Sequence, residues 1–202
     1  MEWLKISVNQ DKFKDKYRIA SARLQSWDYG SNGMYFITIC TGDRNHFFGE
    51  IRQGKMVLSH VGIIADVLWY EIKNHAKNIE LGQFVVMPNH VHGILILDNS
   101  NAHNSGRDKA CLVSTTTNKI ERNSIGKNRF QNQGKNTISS IVGGYKSAVT
   151  KHARRLGFDF YWQSRFHDHI IRNKPSYLQI TEYVINNPRN WRDDCFYGEN
   201  KI

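Results

Sequence analysis

The sequence predicts an α+β sandwich, with helices on one face of a mostly antiparallel sheet. Three observations carry that expectation. The segments run in the order strand, hairpin, helix, two strands, helix, strand, helix. Two short runs meet at Gln53-Gly54, a turn that joins antiparallel neighbours. The helical segments place apolar residues three and four apart, so each has one side to bury against a sheet.

Taken in order, residues 1–30 form a basic arm with Lys12, Lys14, Lys16, Arg18 and Arg23 and little regular structure. Residues 31–202 read as a single domain. Its first strand is Met34-Tyr35-Phe36-Ile37-Thr38-Ile39-Cys40-Thr41, rich in β-branched and aromatic side chains and broken by Gly42-Asp43. Residues 47–51 and 55–58 make the hairpin. Ser59 caps a helix whose apolar side, Val61, Ile64, Ala65, Leu68 and Ile72, extends to about residue 77. Strands follow at 79–87 and 91–97.

From 98 to 136 the composition turns to Asn, Ser, Thr, Gly, Lys and Arg, which reads as a disordered or loosely ordered insertion. Thr137 or Ser139 opens the next helix, apolar through Ile138, Ile141, Val142, Tyr145, Ala148 and Val149. Residues 158–171 have strand character. A final helix starts near Ser176 with Pro175 in its first turn, and Pro188 ends it near Asn187.

The 202 residues carry a formal net charge of +10, a balance that favours a polyanionic partner, nucleic acid first. Arg18, Arg23, Lys146, Lys151, Arg154, Arg155, Arg165 and Arg172 are the cations expected to meet phosphates. Cys40, Cys111 and Cys195 are odd in number and widely spaced, which excludes a disulfide framework and fits a reducing compartment. No run approaches membrane-spanning length and the N-terminal residues have no signal-type apolar core, so the expectation is a cytoplasmic protein.

One stretch points to chemistry. In Met87-Pro88-Asn89-His90-Val91-His92-Gly93, alternation along a strand puts His90 and His92 on one face. Two imidazoles inside an apolar run gain nothing from burial unless something binds them, and together they make half of a divalent-metal site. Pro88 cannot donate to a ladder, so the pair lies at a strand end that a ligand can reach. In the last helix Tyr183 and Asn187 are four apart and share a face. A phenol and an amide oxygen could both aim at such a metal; spacing alone equally allows a packed tyrosine and a helix-end asparagine.

These residues resemble the single-tyrosine HUH transposases, the REP-associated tyrosine transposase group of the IS200-like superfamily. His90-Val91-His92 fits the His-apolar-His signature. The likeness extends over Tyr17-Arg18-Ile19, Trp27-Asp28-Tyr29, Tyr35-Phe36-Ile37-Thr38, Gly144-Tyr145-Lys146-Ser147, Trp162-Gln163, His169-Ile170-Ile171-Arg172-Asn173 and residues 183–188. It covers most of the chain outside 98–136. The resemblance implies a ferredoxin-like core, a Mg2+ or Mn2+ ion and cleavage of single-stranded or stem-loop DNA, with strand transfer through a covalent 5′-phosphotyrosine. It implies Tyr183 as nucleophile and His90, His92 and Asn187 as metal ligands. Members of such families often carry Gln where this chain has Asn187. Both monomers and homodimers with shared active sites occur among them.

Rival readings stay open at this level. His167 and His169 form a second His-x-His with Asp168 between them, an alternative metal site or supporting partners of the first, with His169 expected near the active site and His167 on the surface. Tyr145 is a competing nucleophile, and Trp162 either stacks on bases or packs the core. At the level of function, a non-enzymatic binder of single-stranded or hairpin nucleic acid and a metal-dependent hydrolase using water both compete with the tyrosine enzyme.

Overall fold

The computed structural model describes residues 27–100 and 137–197. Residues 1–26 of the basic arm, with Arg18 and Arg23, and residues 101–136 of the insertion lie outside the described residues.

Among the described residues, six strands and four α-helices follow one another as β1 (Gly33–Cys40), β2 (Gly49–Arg52), β3 (Lys55–Leu58), α1 (His60–Tyr70), α2 (Ile72–His75), β4 (Ile79–Met87), β5 (His90–Leu97), α3 (Ile138–Arg155), β6 (His167–Ile171) and α4 (Lys174–Asn186). The main sheet has the order β4-β5-β1-β6, every neighbour antiparallel. With the β2–β3 hairpin set aside, β1-α1-β4-β5-α3-β6 is the βαββαβ succession of a ferredoxin-like sandwich. The fold class expected from the sequence is the one observed.

Local chemistry fixes the junctions. Gln53 and Gly54 both take positive φ, the conformation that a two-residue hairpin loop requires. Ser59 Oγ accepts the Gly62 N–H at 3.1 Å and starts α1. That helix stops at Tyr70 rather than running to 77, and α2 supplies one more turn that keeps Ile72 buried, so the apolar period survives the break. Thr137 and Ser140 form a reciprocal capping box on α3. Asn173 Oδ1 accepts the Ser176 N–H at 2.9 Å and caps α4.

The strand expected over 158–171 is confined to 167–171, with a single bridge between Trp162 and Thr41 before it. Lys146 explains the difference. Its ammonium donates to the carbonyls of Gln163 (2.6 Å) and Ser164 (3.4 Å), taking those acceptors away from any ladder. Trp162 packs beside Phe48 and Phe160 and donates its indole N–H to the Lys146 carbonyl at 3.1 Å, so it serves the core.

The two faces of the sheet receive different partners. Tyr35, Ile37, Ile39, Val91, Leu95 and Leu97 point to one face and join residues of α1 and α3 in the main core. A Cβ on Gly93 would collide with the Trp69 ring of α1, so this strand position admits that indole only as glycine. α4 lies on the opposite face, where Tyr183 meets Phe36 and His92. The helices that cover the core are thus on one face, as expected, and the C-terminal helix departs from them. The physical reason is the register: a helix carrying Tyr183 and Asn187 can meet the histidines only from the face on which they stand.

Candidate metal and nucleophile site

β4 and β5 are joined by the tight turn Pro88-Asn89, where the missing N–H of proline costs nothing. The turn places His90 at the first position of a central strand. His90 lies opposite Cys40 of β1, and His92 opposite Thr38. Both histidines are buried, at 0% and 1% exposure, with ring centroids 4.3 Å apart.

Hydrogen bonds set the tautomer of His90. Asn89 Nδ2 donates to the Phe196 carbonyl at 2.9 Å, which turns Asn89 Oδ1 toward His90 Nδ1 at 2.9 Å. An amide oxygen only accepts, so His90 Nδ1 carries the proton and Nε2 presents a lone pair. Among the described residues that buried Nε2 has no hydrogen-bond partner. His92 Nδ1 hydrogen-bonds Thr38 Oγ1 at 2.8 Å, and its Nε2 lies 3.3 Å from the Tyr183 hydroxyl. A second polar group that fixes each imidazole is the arrangement metal-binding histidines use.

α4 and the chain after it close the site. Tyr183 and Asn187 do share a face: the Tyr183 hydroxyl donates to Asp194 Oδ2 at 3.3 Å, and Asn187 Nδ2 donates to the same oxygen at 2.7 Å. Asn187 is 2% exposed, and its Oδ1 is a second buried acceptor with no partner among the described residues. Asp194 Oδ1 accepts the Phe196 N–H at 2.7 Å. One ligand atom each from His90, His92 and Asp194 fall within 4.8 Å of one another, close enough to hold one ion. Phe196 walls the site, its ring 4.7 Å from that of His90 and 5.8 Å from that of His92.

Asp194 is the residue the sequence reading missed. It lies seven positions past Asn187, beyond Pro188 and a short 3-10 turn at Trp191–Asp193, so helical spacing does not reach it. The turn comes back because Trp191 is buried beside His90.

Burial dominates the electrostatics. It drives His90 well below the ordinary histidine range, helped by the neighbouring His92 and Arg44. It lowers His92 to about 4, opposed by the Asp194 carboxylate. Both imidazoles are therefore neutral at pH 7, as metal ligands must be. Burial, then the Asp194 charge, pushes the Tyr183 phenol up, so the hydroxyl holds its proton.

The other residues singled out by sequence fall elsewhere. Tyr145 is buried on the core side and donates its hydroxyl to the Ala65 carbonyl at 2.9 Å. Lys151, Arg154 and Arg155 are exposed on α3, the helix across the sheet from the histidines, while the Lys146 ammonium is spent on the carbonyls already described. Arg165 and Arg172 are exposed at the two ends of β6. His167 and His169 are exposed on β6 opposite Thr38 and Phe36, on the face of the site but outside the cluster around Asp194.

No protein-family model matches the chain. It is 36% identical over 180 residues to an uncharacterized protein of Haemophilus influenzae, covering 88% of this chain and 92% of that one. Among solved structures it is similar to a REP-associated tyrosine transposase bound to a REP hairpin, at 19% identity and a TM-score of 0.50, over 84% of this chain and 73% of the other. Among the described residues no helix is long and apolar enough to cross a membrane.

Proposed function

This chain belongs to the family of that Haemophilus influenzae protein and has the fold of a REP-associated tyrosine transposase, and from that premise we propose that it is a metal-dependent, single-tyrosine nuclease and strand transferase acting on single-stranded or stem-loop DNA. The observation that carries the reading is the convergence of Tyr183, His92 and Asp194 on one point, beside two buried acceptors that no donor among the described residues satisfies.

The donor set fits a divalent cation: two neutral imidazoles with an oxygen from Asp194, and Asn187 Oδ1 as a further one. Mg2+ or Mn2+ suits the oxygen donors. When bound, the ion draws charge from the oxygens of the scissile phosphate.

The chain's own groups do the rest. Tyr183 Oη attacks phosphorus, and the bond to the 3′ oxygen breaks, leaving a 5′-phosphotyrosine and a 3′-hydroxyl that takes its proton from water. The phenol proton passes to Asp194 Oδ2, the acceptor it already faces. Phe36 and Phe196 hold the rings of Tyr183 and the histidines and restrict water. Rejoining is the reverse attack, by an incoming 3′-hydroxyl on the phosphotyrosine.

The test is adduct formation on single-stranded stem-loop DNA with Mn2+, using Tyr183→Phe, which keeps the ring and deletes the nucleophilic oxygen. Wild type should carry label only from the fragment downstream of the cut. The variant should bind the DNA and form no adduct. An adduct that survives in Tyr183→Phe, or cleavage without one, refutes the covalent tyrosine mechanism and leaves a hydrolase. Wild-type binding without cleavage leaves a nucleic-acid binder.

A further inference from the structure

Residues 41–48 connect β1 to the hairpin beside the site, and the backbone near their start is unusual. Asp43 and Arg44 both take left-handed conformations, with φ of 52° and 58°. Side chains with a Cβ avoid this region, and two in succession persist only where the surroundings impose them.

The surroundings here do. The Thr41 hydroxyl donates to the carbonyls of Asn45 (2.7 Å) and Asn89 (3.0 Å). The Gly42 N–H donates to the Tyr161 carbonyl at 2.9 Å. The Tyr161 ring occupies the space a Cβ at Gly42 would need, and its hydroxyl donates to Asp43 Oδ2 at 3.0 Å.

The loop so held delivers one group. The guanidinium of Arg44 sits 5.5 Å from the centre of the Phe196 ring, which also neighbours the rings of His90 and His92. Arg44 is exposed, and among the described residues no carboxylate lies within ion-pair distance of it. An aromatic face takes the flat of a guanidinium and leaves its N–H edge directed elsewhere. That edge matches the non-bridging oxygens of a phosphodiester.

We propose that Arg44 is a phosphate-binding residue at the mouth of the site, gripping the backbone of single-stranded DNA next to the scissile linkage. The assignment deepens the nuclease reading and rests on it for the identity of the strand. It explains why the fold keeps a strained loop beside the site: the strain aims a cation that β1 alone could not.

Binding of a fluorescent single-stranded oligonucleotide across a salt series, in EDTA, keeps cleavage and metal out of the measurement. Arg44→Gln should flatten the slope of log affinity against log salt by about 0.7, the contribution of one phosphate contact, which is about fivefold in affinity at 0.1 M salt. Arg44→Lys should keep the slope. Wild type offers a check that needs no variant: saturating oligonucleotide should protect Arg44 from phenylglyoxal, read by mass spectrometry. An unchanged slope in a folded Arg44→Gln, or Arg44 modified equally with and without DNA, overturns the proposal. A wild type that forms the Tyr183 adduct while either result holds sinks Arg44 alone. Arg44 protection and a lost contact without any adduct would leave this proposal standing and the nuclease reading fallen.

Discussion

The two faces of the main sheet are built from the same strands, one residue out of phase, and they have been put to opposite uses. On one face Tyr35, Ile37, Ile39, Val91 and Leu95 are fully buried among α1 and α3. On the other, the alternate residues Thr38, Cys40, His90 and His92 are buried too, but most are polar. An apolar face asks only for volume to be filled. A buried polar face must satisfy each donor and acceptor, and this one does so for Thr38, Asn89 and the Nδ1 atoms of both histidines. Among the described residues it then leaves His90 Nε2 and Asn187 Oδ1, both acceptors, without donors. The core side also has an unpartnered group, the indole N–H of Trp69. That group is a donor, and no cation could satisfy it. Function is to be sought at the buried lone pairs that no donor among the described residues satisfies.

The largest expected effect comes from emptying the polar face. His90→Ala with His92→Ala should lose cleavage entirely and lose the rise in melting temperature that Mn2+ gives the wild type. Circular dichroism should still show a folded protein, because the apolar face is untouched. Cleavage by the double variant at the wild-type rate would mean that this face is only structural.

Truncating the apolar face should do the reverse. Trp69 is 1% exposed, stacks on Phe84 and fills the groove over Gly93. Trp69→Ala should cost about 3–5 kcal/mol in denaturant unfolding, while Mn2+ binding and adduct yield per folded molecule persist. If stability held and the chemistry vanished, the division between the faces would be false.

A smaller effect follows from pH. His92 titrates at about 4 in the folded protein, below its unfolded value near 6.5, so the unfolded chain takes up the proton first. Its stabilising contribution is complete above about pH 6.5. It is lost as pH falls through that window toward about 4, and His90 shifts in the same direction. Melting temperature measured without metal should fall with acidification over this range, and fall less in His92→Gln. Identical profiles for the two proteins would show that the burial of His92 has no such consequence.

Much of this contrast was legible in the sequence because it is periodic. His90 and His92 two apart, and Tyr183 and Asn187 four apart, announce shared faces once strand and helix are recognised. Asp194 and Arg44 were not legible for the same reason. Asp194 reaches the site through a turn anchored by the burial of Trp191, and Arg44 through two left-handed residues imposed by Thr41 and Tyr161. Both positions are set by tertiary contacts that no local period encodes. The basic run on α3 is a matter of placement: Lys151, Arg154 and Arg155 cluster in sequence, and α3 carries them on the side of the sheet opposite the histidines.

The smallest effect separates the two tyrosines. Tyr145 and Tyr183 each lie in a helix packed on the sheet, and in the sequence Tyr145 is the minor rival to Tyr183 as nucleophile. The Tyr145 hydroxyl is buried on the core face, its proton donated to the Ala65 carbonyl, and burial raises its pKa further from any reactive range. No metal-ligand cluster lies on its side among the described residues. Tyr145→Phe keeps the ring against Trp69 and removes one hydrogen bond, to a carbonyl of α1. The cost should be about 0.5–1.5 kcal/mol in denaturant unfolding, with adduct formation at the wild-type rate. Because Tyr183→Phe makes the same atomic change on the other face, the pair is a controlled comparison: equal chemistry deleted, with the loss falling on stability in one case and on reaction in the other. Mass-spectrometric mapping of the adduct to Tyr145, or a Tyr145→Phe protein that no longer forms it, would reverse the assignment of the two faces.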